Sequence, residues 1–292
     1  MKASNKLILK TFERYLKIQS YAESTVYMSV NYVKDFLIWS EKQDYKKLDK
    51  IPINKYLHYL QNRKHKRKPG ALSQNAIIGN VNSLKRFAKY LQITGKQSFE
   101  INFKLEKPEV QEREILTKQE IKELYNACEN TAVTELAEVY GLRNRAILSI
   151  YYGCGLRRSE GISLNVNNIL LSDNMIFVQK GKGYKQRYVP MNKQVKEDLR
   201  NYILHGRDYF LKTPEAALFI GRTGKRLTGS AICESFKRLQ NKTLINKKIG
   251  LHTLRHSIAT HLLQSGMSLE NVSKFLGHSS LESTQIYTKV KF

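Results

Sequence analysis

Cysteine, proline and tryptophan are scarce in this 292-residue sequence, with three, five and one of each. Cys128, Cys154 and Cys233 are odd in number, far apart and without CxxC spacing, so neither a disulfide framework nor a zinc site is supported, and all three are expected as core thiols. No apolar run approaches the ~20 residues of a bilayer span, and no lipidation signal is present. Residues 1–10 lack the long apolar core and small-residue cleavage site of a signal peptide. The expected location is the cytoplasm, in association with the nucleoid. No G-x-x-x-x-G-K-[ST] loop occurs, so nucleotide hydrolysis is not indicated, and no cofactor is expected. Acidic residues are also few. Asp and Glu number 25 against 50 Lys and Arg, a formal net charge of +25 with a pI near 9.9, which favours a polyanionic partner, nucleic acid foremost.

What is present suffices for two domains: 41% of the residues are hydrophobic, enough to bury a sizeable core. Residues 1–103 predict helices only. Val26, Val30, Val33 and Leu37 form one helical stripe and Ile77, Val81, Leu84, Ala88 and Leu91 another, with Ser24 and Ser73 placed as N-caps. Between them the basic run 62–70, closed by Pro-Gly, predicts an exposed loop. Its Lys64, Lys66, Arg67 and Lys68 are candidate contacts to a DNA backbone. Trp39 is expected to pack at the end of its helix. Residues 104–115, polar and proline-bearing, form the expected linker.

The second domain, 116–292, opens on a capping box at Thr117 and Glu120. It is expected to mix helices with a small antiparallel sheet. Residues 142–152 are apolar enough for one buried helix, running into the glycine-punctuated turn 153–160. Two short strands, 175–179 and 187–190, flank a lysine-rich loop with Lys182 at its tip. A helix at 228–239 follows the basic turn 221–226. Lys225, Arg226, Lys237 and Arg238 are further candidates for the DNA backbone. The stretch 252–256, H-T-L-R-H, opens a helix that sets His252 and Arg255 three positions apart on one face, while Leu254, Ile258, Ala259, Leu262 and Leu263 bury the other. Gly266 ends that helix. Ser268 caps the next segment, which buries Leu269, Val272, Phe275 and Leu276, and a final short helix from about 281 carries Tyr287.

In order along the chain, G-L-R-R-S-E at 155–160, G-K-G at 181–183, H-T-L-R-H at 252–256, L-G-H at 276–278 and Y-T-K-V at 287–290 together resemble the motifs of the tyrosine recombinase, or phage integrase, family. The match runs from about 116 to 290, and the helical residues 1–103 resemble that family's SAM-like core-binding domain. The resemblance is to an Xer-like two-domain member. It implies an all-α N-terminal domain followed by an α+β catalytic domain, mainly α overall. It also implies that Arg157, Lys182, His252, Arg255, His278 and Tyr287 occupy the six active-site positions, with Glu160 in support. Double-stranded DNA is the implied substrate, a homotetramer on two recombination sites the implied assembly, and a covalent 3′-phosphotyrosine the implied intermediate.

Those residue types suit the chemistry. A phosphodiester undergoing substitution gathers negative charge, which two forked guanidiniums stabilise through charge-assisted hydrogen bonds. A tyrosine hydroxyl, with pKa near 10, needs a proton acceptor, a role open to His252. The departing 5′ oxygen needs a proton, for which Lys182 is the candidate donor, and His278 is expected to hydrogen-bond a phosphate oxygen. His252 and His256 also have i, i+4 metal spacing, but no H-E-x-x-H glutamate accompanies them and Arg255 between them repels a cation, so no metal is expected. Integration, excision, resolution or inversion of a mobile element is the expected role. A type IB topoisomerase-like relaxing activity and a non-catalytic DNA-binding regulator are the alternatives. Chromosome-dimer resolution is a further one, disfavoured by the short segment after Tyr287.

Overall fold

The computed structural model describes residues 1–45, 47–48, 51–64, 69–96, 98–101, 114–129, 134–179, 186–247 and 249–277. The chain divides into two compact units, Met1–Val110 and Gln111–Phe292.

Helices α1 (Ala3–Ile18), α2 (Glu23–Lys42), α3 (Ile53–Asn62) and α4 (Gln74–Ile93) build the first unit. Its core is aromatic: Phe12 meets Phe87 edge-on at 5.1 Å between ring centroids, and Phe36 meets Tyr56 at 5.0 Å. Trp39, near the end of α2, packs on Tyr56 at 5.0 Å and on Tyr45 at 5.9 Å. Ser73 caps α4, its Oγ accepting from the Ala76 amide at 3.3 Å. Ser24 does not cap α2. That helix begins one residue earlier, at Glu23, with Ala22 before it and no side-chain cap, and Glu23 in the first turn suits the positive end of the helix dipole. Beyond α3, Arg63 pairs with Asp35 at 3.3 Å and Lys64 bridges to Ala71. Lys66, Arg67 and Lys68 lie outside the described residues, as does the expected linker apart from 114–115.

The second unit contains α5 (Lys118–Glu129), α6 (Glu135–Leu148), α7 (Arg158–Ser163), α8 (Lys193–Asn201), α9 (Gly229–Gln240), α10 (Leu251–Gln264) and α11 (Leu269–Leu276). Its antiparallel sheet runs β1 (Ile169–Leu170), β2 (Met175–Val178), β3 (Arg187–Pro190), with Ile176 opposite Val189 and Val178 opposite Arg187. Strand β1, two residues long, carries no periodicity by which a sequence could announce it. The capping box holds α5: the Thr117 amide donates to Glu120 Oε2 at 2.7 Å and the Glu120 amide to Thr117 Oγ1 at 3.1 Å.

The expected single helix over 142–152 is instead α6 followed by a π-helical turn, Ser149–Gly153. Two side-chain contacts accompany the widened turn. Ser149 Oγ donates to the buried carboxylate of Asp198 in α8, and Gly153 lies so close to Val195 that a Cβ would fall 2.4 Å from its Cγ2. The wider turn advances the chain into Gly155, whose φ of +58° suits glycine, and from there into Arg157. Cys128 and Cys154 are buried and Cys233 is partly buried. Burial pushes the Cys154 thiol up to about 12, which keeps it protonated and inert.

Phe36→Ala is expected to cost about 3–5 kcal/mol of stability in the first unit. Trp39, the only tryptophan, reports that loss through the fluorescence midpoint of a urea titration, and an unchanged midpoint would contradict the packing described.

Candidate active site

Three of the six candidate catalytic positions, Arg157, His252 and Arg255, and their acidic support Glu160 lie among the described residues, on α10 and at the start of α7. Helix α10 carries His252 and Arg255 as expected. His252 is exposed, whereas Arg255 is almost fully buried. The Arg255 guanidinium donates to the carbonyl of Gly155 and, at 2.8 Å, to that of Leu276. Gly155 accommodates this approach: a Cβ there would stand 2.8 Å from Leu276 Cδ2. Arg157, at the start of α7, directs Nη2 to the Gly277 carbonyl at 2.7 Å and Nη1 to Glu160 Oε1 at 2.8 Å. The two arginines therefore meet at consecutive carbonyls, Leu276 and Gly277, where α11 ends. Helix C-termini leave such carbonyls unpaired and carry the negative pole of the helix dipole, so this end of α11 attracts guanidinium donors. Gly277, at φ +66°, closes α11 in the left-handed conformation.

Glu160 has no solvent exposure. Its carboxylate accepts from the Arg157 amide at 2.8 Å, from Arg157 Nη1, and from both Arg187 Nη1 at 2.8 Å and Nη2 at 3.0 Å. Burial alone would raise its pKa, but the hydrogen bonds and charge of Arg187, followed by those of Arg157, hold it down at about 2. Sequence reasoning missed Arg187. The available signal was a basic residue at the head of a strand when an acid expected beside the active site needs neutralising.

His261 is buried, with Nδ1 2.9 Å from Tyr152 Oη; burial, with Lys118 nearby, lowers its pKa. His256 is half-buried. Lys182, His278 and Tyr287 lie outside the described residues.

The basic candidates on and before α9 fare differently from one another. Lys225 and Lys237 are exposed. Arg238 is exposed and pairs with Glu234 one turn back at 2.6 Å, a surface pair of little energetic weight. Arg226 differs from the free backbone contact expected of it: its guanidinium donates to the carbonyls of Ile162 and Leu164, both at 2.8 Å, and to Asn165 Oδ1 at 2.5 Å. It ties down the chain where α7 ends, a position at which carbonyls need donors.

Residues 114–292 match the model of the phage integrase family, and residues 8–97 match the phage integrase N-terminal SAM-like domain. The chain belongs to the phage integrase family. Its tyrosine recombinase relatives include XerC of Anoxybacillus flavithermus, 32% identical over 289 residues that cover 97% of this chain and 92% of the relative. XerD of Oceanobacillus iheyensis is 34% identical over 266 residues, covering 89% and 83%. Among solved structures, the XerH site-specific recombinase bound to difH substrate in a pre-cleavage complex aligns with a TM-score of 0.72 at 20% identity, over 98% of this chain and 92% of that one. The Tn1549 transposon integrase in complex with circular intermediate DNA aligns at 0.71 and 17%, over 98% and 96%. At these identities the structural likeness is one of fold, and it extends to the mainly helical architecture with its small antiparallel sheet. The phage integrase chain described here is a site-specific tyrosine recombinase, an enzyme of DNA strand breakage and rejoining. Among its described residues no helix is long and apolar enough to cross a membrane.

The carboxylate of Glu160 has a defined pH signature. Its folded pKa, about 2, lies below the ~4.3 of an unfolded glutamate, so its stabilising contribution is full above that value and is lost as pH falls from about 4.3 toward 2. Glu160→Gln is expected to flatten this part of the stability profile. Urea midpoints taken between pH 6 and pH 3 check it, and parallel profiles for both proteins would contradict the assignment.

Proposed function

We propose that this recombinase cuts one strand of duplex DNA by attack of Tyr287 Oη on a phosphodiester. The bond to the 5′ oxygen breaks, and the protein remains joined to the 3′ phosphate. The observation that carries this reading is the convergence of Arg157 and Arg255 on the consecutive carbonyls of Leu276 and Gly277. Arg157, whose side chain is 21% exposed, is the member of the pair open to an incoming phosphate oxygen. Arg255, buried behind it, supplies positive charge in a region of low dielectric, where charge stabilisation is worth most. His252, exposed one helical turn before Arg255, accepts the phenolic proton. Lys182 gives a proton to the leaving 5′ oxygen, and His278 hydrogen-bonds a non-bridging oxygen.

The phosphotyrosine conserves the energy of the broken bond, so the 5′ hydroxyl of a second strand reverses the step without ATP and the strands are exchanged. Lys64, Lys66, Arg67, Lys68, Lys225, Lys237 and Arg238 are the proposed contacts to the DNA backbone, with Arg226 acting on the fold beneath them. The assembly is a homotetramer on two sites, working in the cytoplasm on nucleoid DNA. Its role is integration, excision, resolution or inversion of a mobile element. Chromosome-dimer resolution is the second reading, favoured by likeness to XerC and XerD over 97% and 89% of this chain.

Nicked suicide substrates drawn from the gene's own genomic neighbourhood test these assignments. The wild-type chain is expected to form a covalent adduct without metal or ATP. Tyr287→Phe should form none while still binding DNA, since one hydroxyl contributes little to a largely electrostatic association. Arg157→Ala is expected to slow adduct formation by about 10²–10³-fold. An adduct that survives in Tyr287→Phe would assign the nucleophile elsewhere. The genomic position of the trapped fragment decides between a mobile-element end and a chromosomal site.

A further inference from the structure

Arg187 opens β3, five residues beyond Lys182 in the sequence. Its two terminal nitrogens fork onto both oxygens of Glu160 at 2.8 and 3.0 Å, and its buried Nε has no partner among the described residues. The guanidinium also lies against Gly277, where a Cβ would stand 2.7 Å from Nε and 2.8 Å from Cζ. Gly277 directly precedes His278 and accepts the Arg157 hydrogen bond. One side chain thus touches the carboxylate that orients Arg157 and the residue before His278.

The charges give this contact a purpose. Arg157 and Glu160 alone form a neutral pair, with little to offer an anionic phosphodiester. With Arg187 the cluster is two guanidiniums and one carboxylate, a net +1. The buried carboxylate keeps a countercharge when Arg157 turns donors toward a phosphate, so Arg157 is released from that duty without leaving Glu160 uncompensated.

We propose that Arg187 is a positioning residue for strand cleavage: through Glu160 it orients Arg157 and leaves its charge available to the scissile phosphate, and through Gly277 it braces the end of α11 that Arg157 also grips. This rests on the active-site reading above. Arg187 acts through other residues and need not touch the substrate, so its loss is expected in the rate of the chemical step rather than in DNA affinity.

The test is the single-turnover rate of adduct formation on a nicked substrate, measured across DNA concentrations for the wild type, Arg187→Met and Arg187→Lys, with Tyr287→Phe as control and thermal melting of each protein. Arg187→Met is expected to lower the plateau rate by about 10²-fold, the loss typical of a misplaced catalytic group, with little change in the DNA concentration that gives half of it. Arg187→Lys restores the charge but not the fork and should recover part of that loss. A plateau rate for Arg187→Met within about threefold of wild type, well short of the loss expected of misplacement, would overturn the proposal. So would a loss that in both variants accompanies failed DNA binding and a lowered melting temperature, which would make Arg187 a folding residue only. If Arg187→Met does not fold, Arg187→Lys decides: a lowered plateau at unchanged half-saturation supports the proposal and a wild-type plateau overturns it. An adduct in the wild type, absent in Tyr287→Phe, keeps failure of this proposal separate from failure of the active-site reading. No adduct in the wild type would bring down both.

Discussion

The catalytic unit depends on a carboxylate with no access to water. Taking Glu160 out of solvent as an anion costs several kcal/mol, and the fold meets that cost with a backbone amide and two guanidiniums that arrive from different parts of the chain. Arg157 belongs to the same turn as Glu160, while Arg187 is delivered by the sheet. The second carboxylate–arginine contact therefore forms only when β2 and β3 pair in register and the sheet packs beside α7. An acid expected only as support for the active site becomes the point at which sheet and helix are fastened.

A second constraint is the end of α11. Helix C-termini carry carbonyls without intrahelical partners, and here Leu276 and Gly277 offer theirs to Arg255 and Arg157. Each arginine is held by neutral or anionic acceptors from the protein, which keeps two like charges near one another before any substrate arrives. A phosphate oxygen is a stronger acceptor than a peptide carbonyl, which is why the proposed reaction has Arg157 exchange one for the other. Arg255, buried and bonded to Gly155 and Leu276, is the fixed partner of the pair.

Much of this was legible from local pattern. The aliphatic stripes of α2 and α4, the caps at Ser73, Thr117 and Ser268, and the placement of His252 and Arg255 on one helix all follow from 3.6-residue periodicity and capping chemistry. The departures share a cause, since each depends on a partner far along the chain. The π-helical turn after α6 forms where Ser149 bonds Asp198 and Gly153 meets Val195. Arg226 turns inward because carbonyls more than sixty residues earlier need donors. Arg187 is drawn to Glu160 across twenty-seven residues.

The sequence by itself determined the class of molecule: its helical first unit, the motifs that mark the phage integrase family and its excess of positive charge; it also named Arg157, Glu160, His252 and Arg255 as candidates. Those features are one-dimensional, written in periodicity, composition and order. Lys182, His278 and Tyr287 stand on that order alone, since they lie outside the described residues. Only the tertiary structure decided which carbonyls the two arginines grip, which basic residues face solvent and which brace the fold, and that Glu160 has a second arginine. Burial and charge pairing join groups remote in sequence, and their strength is set by a dielectric and a geometry that exist only once the chain has folded.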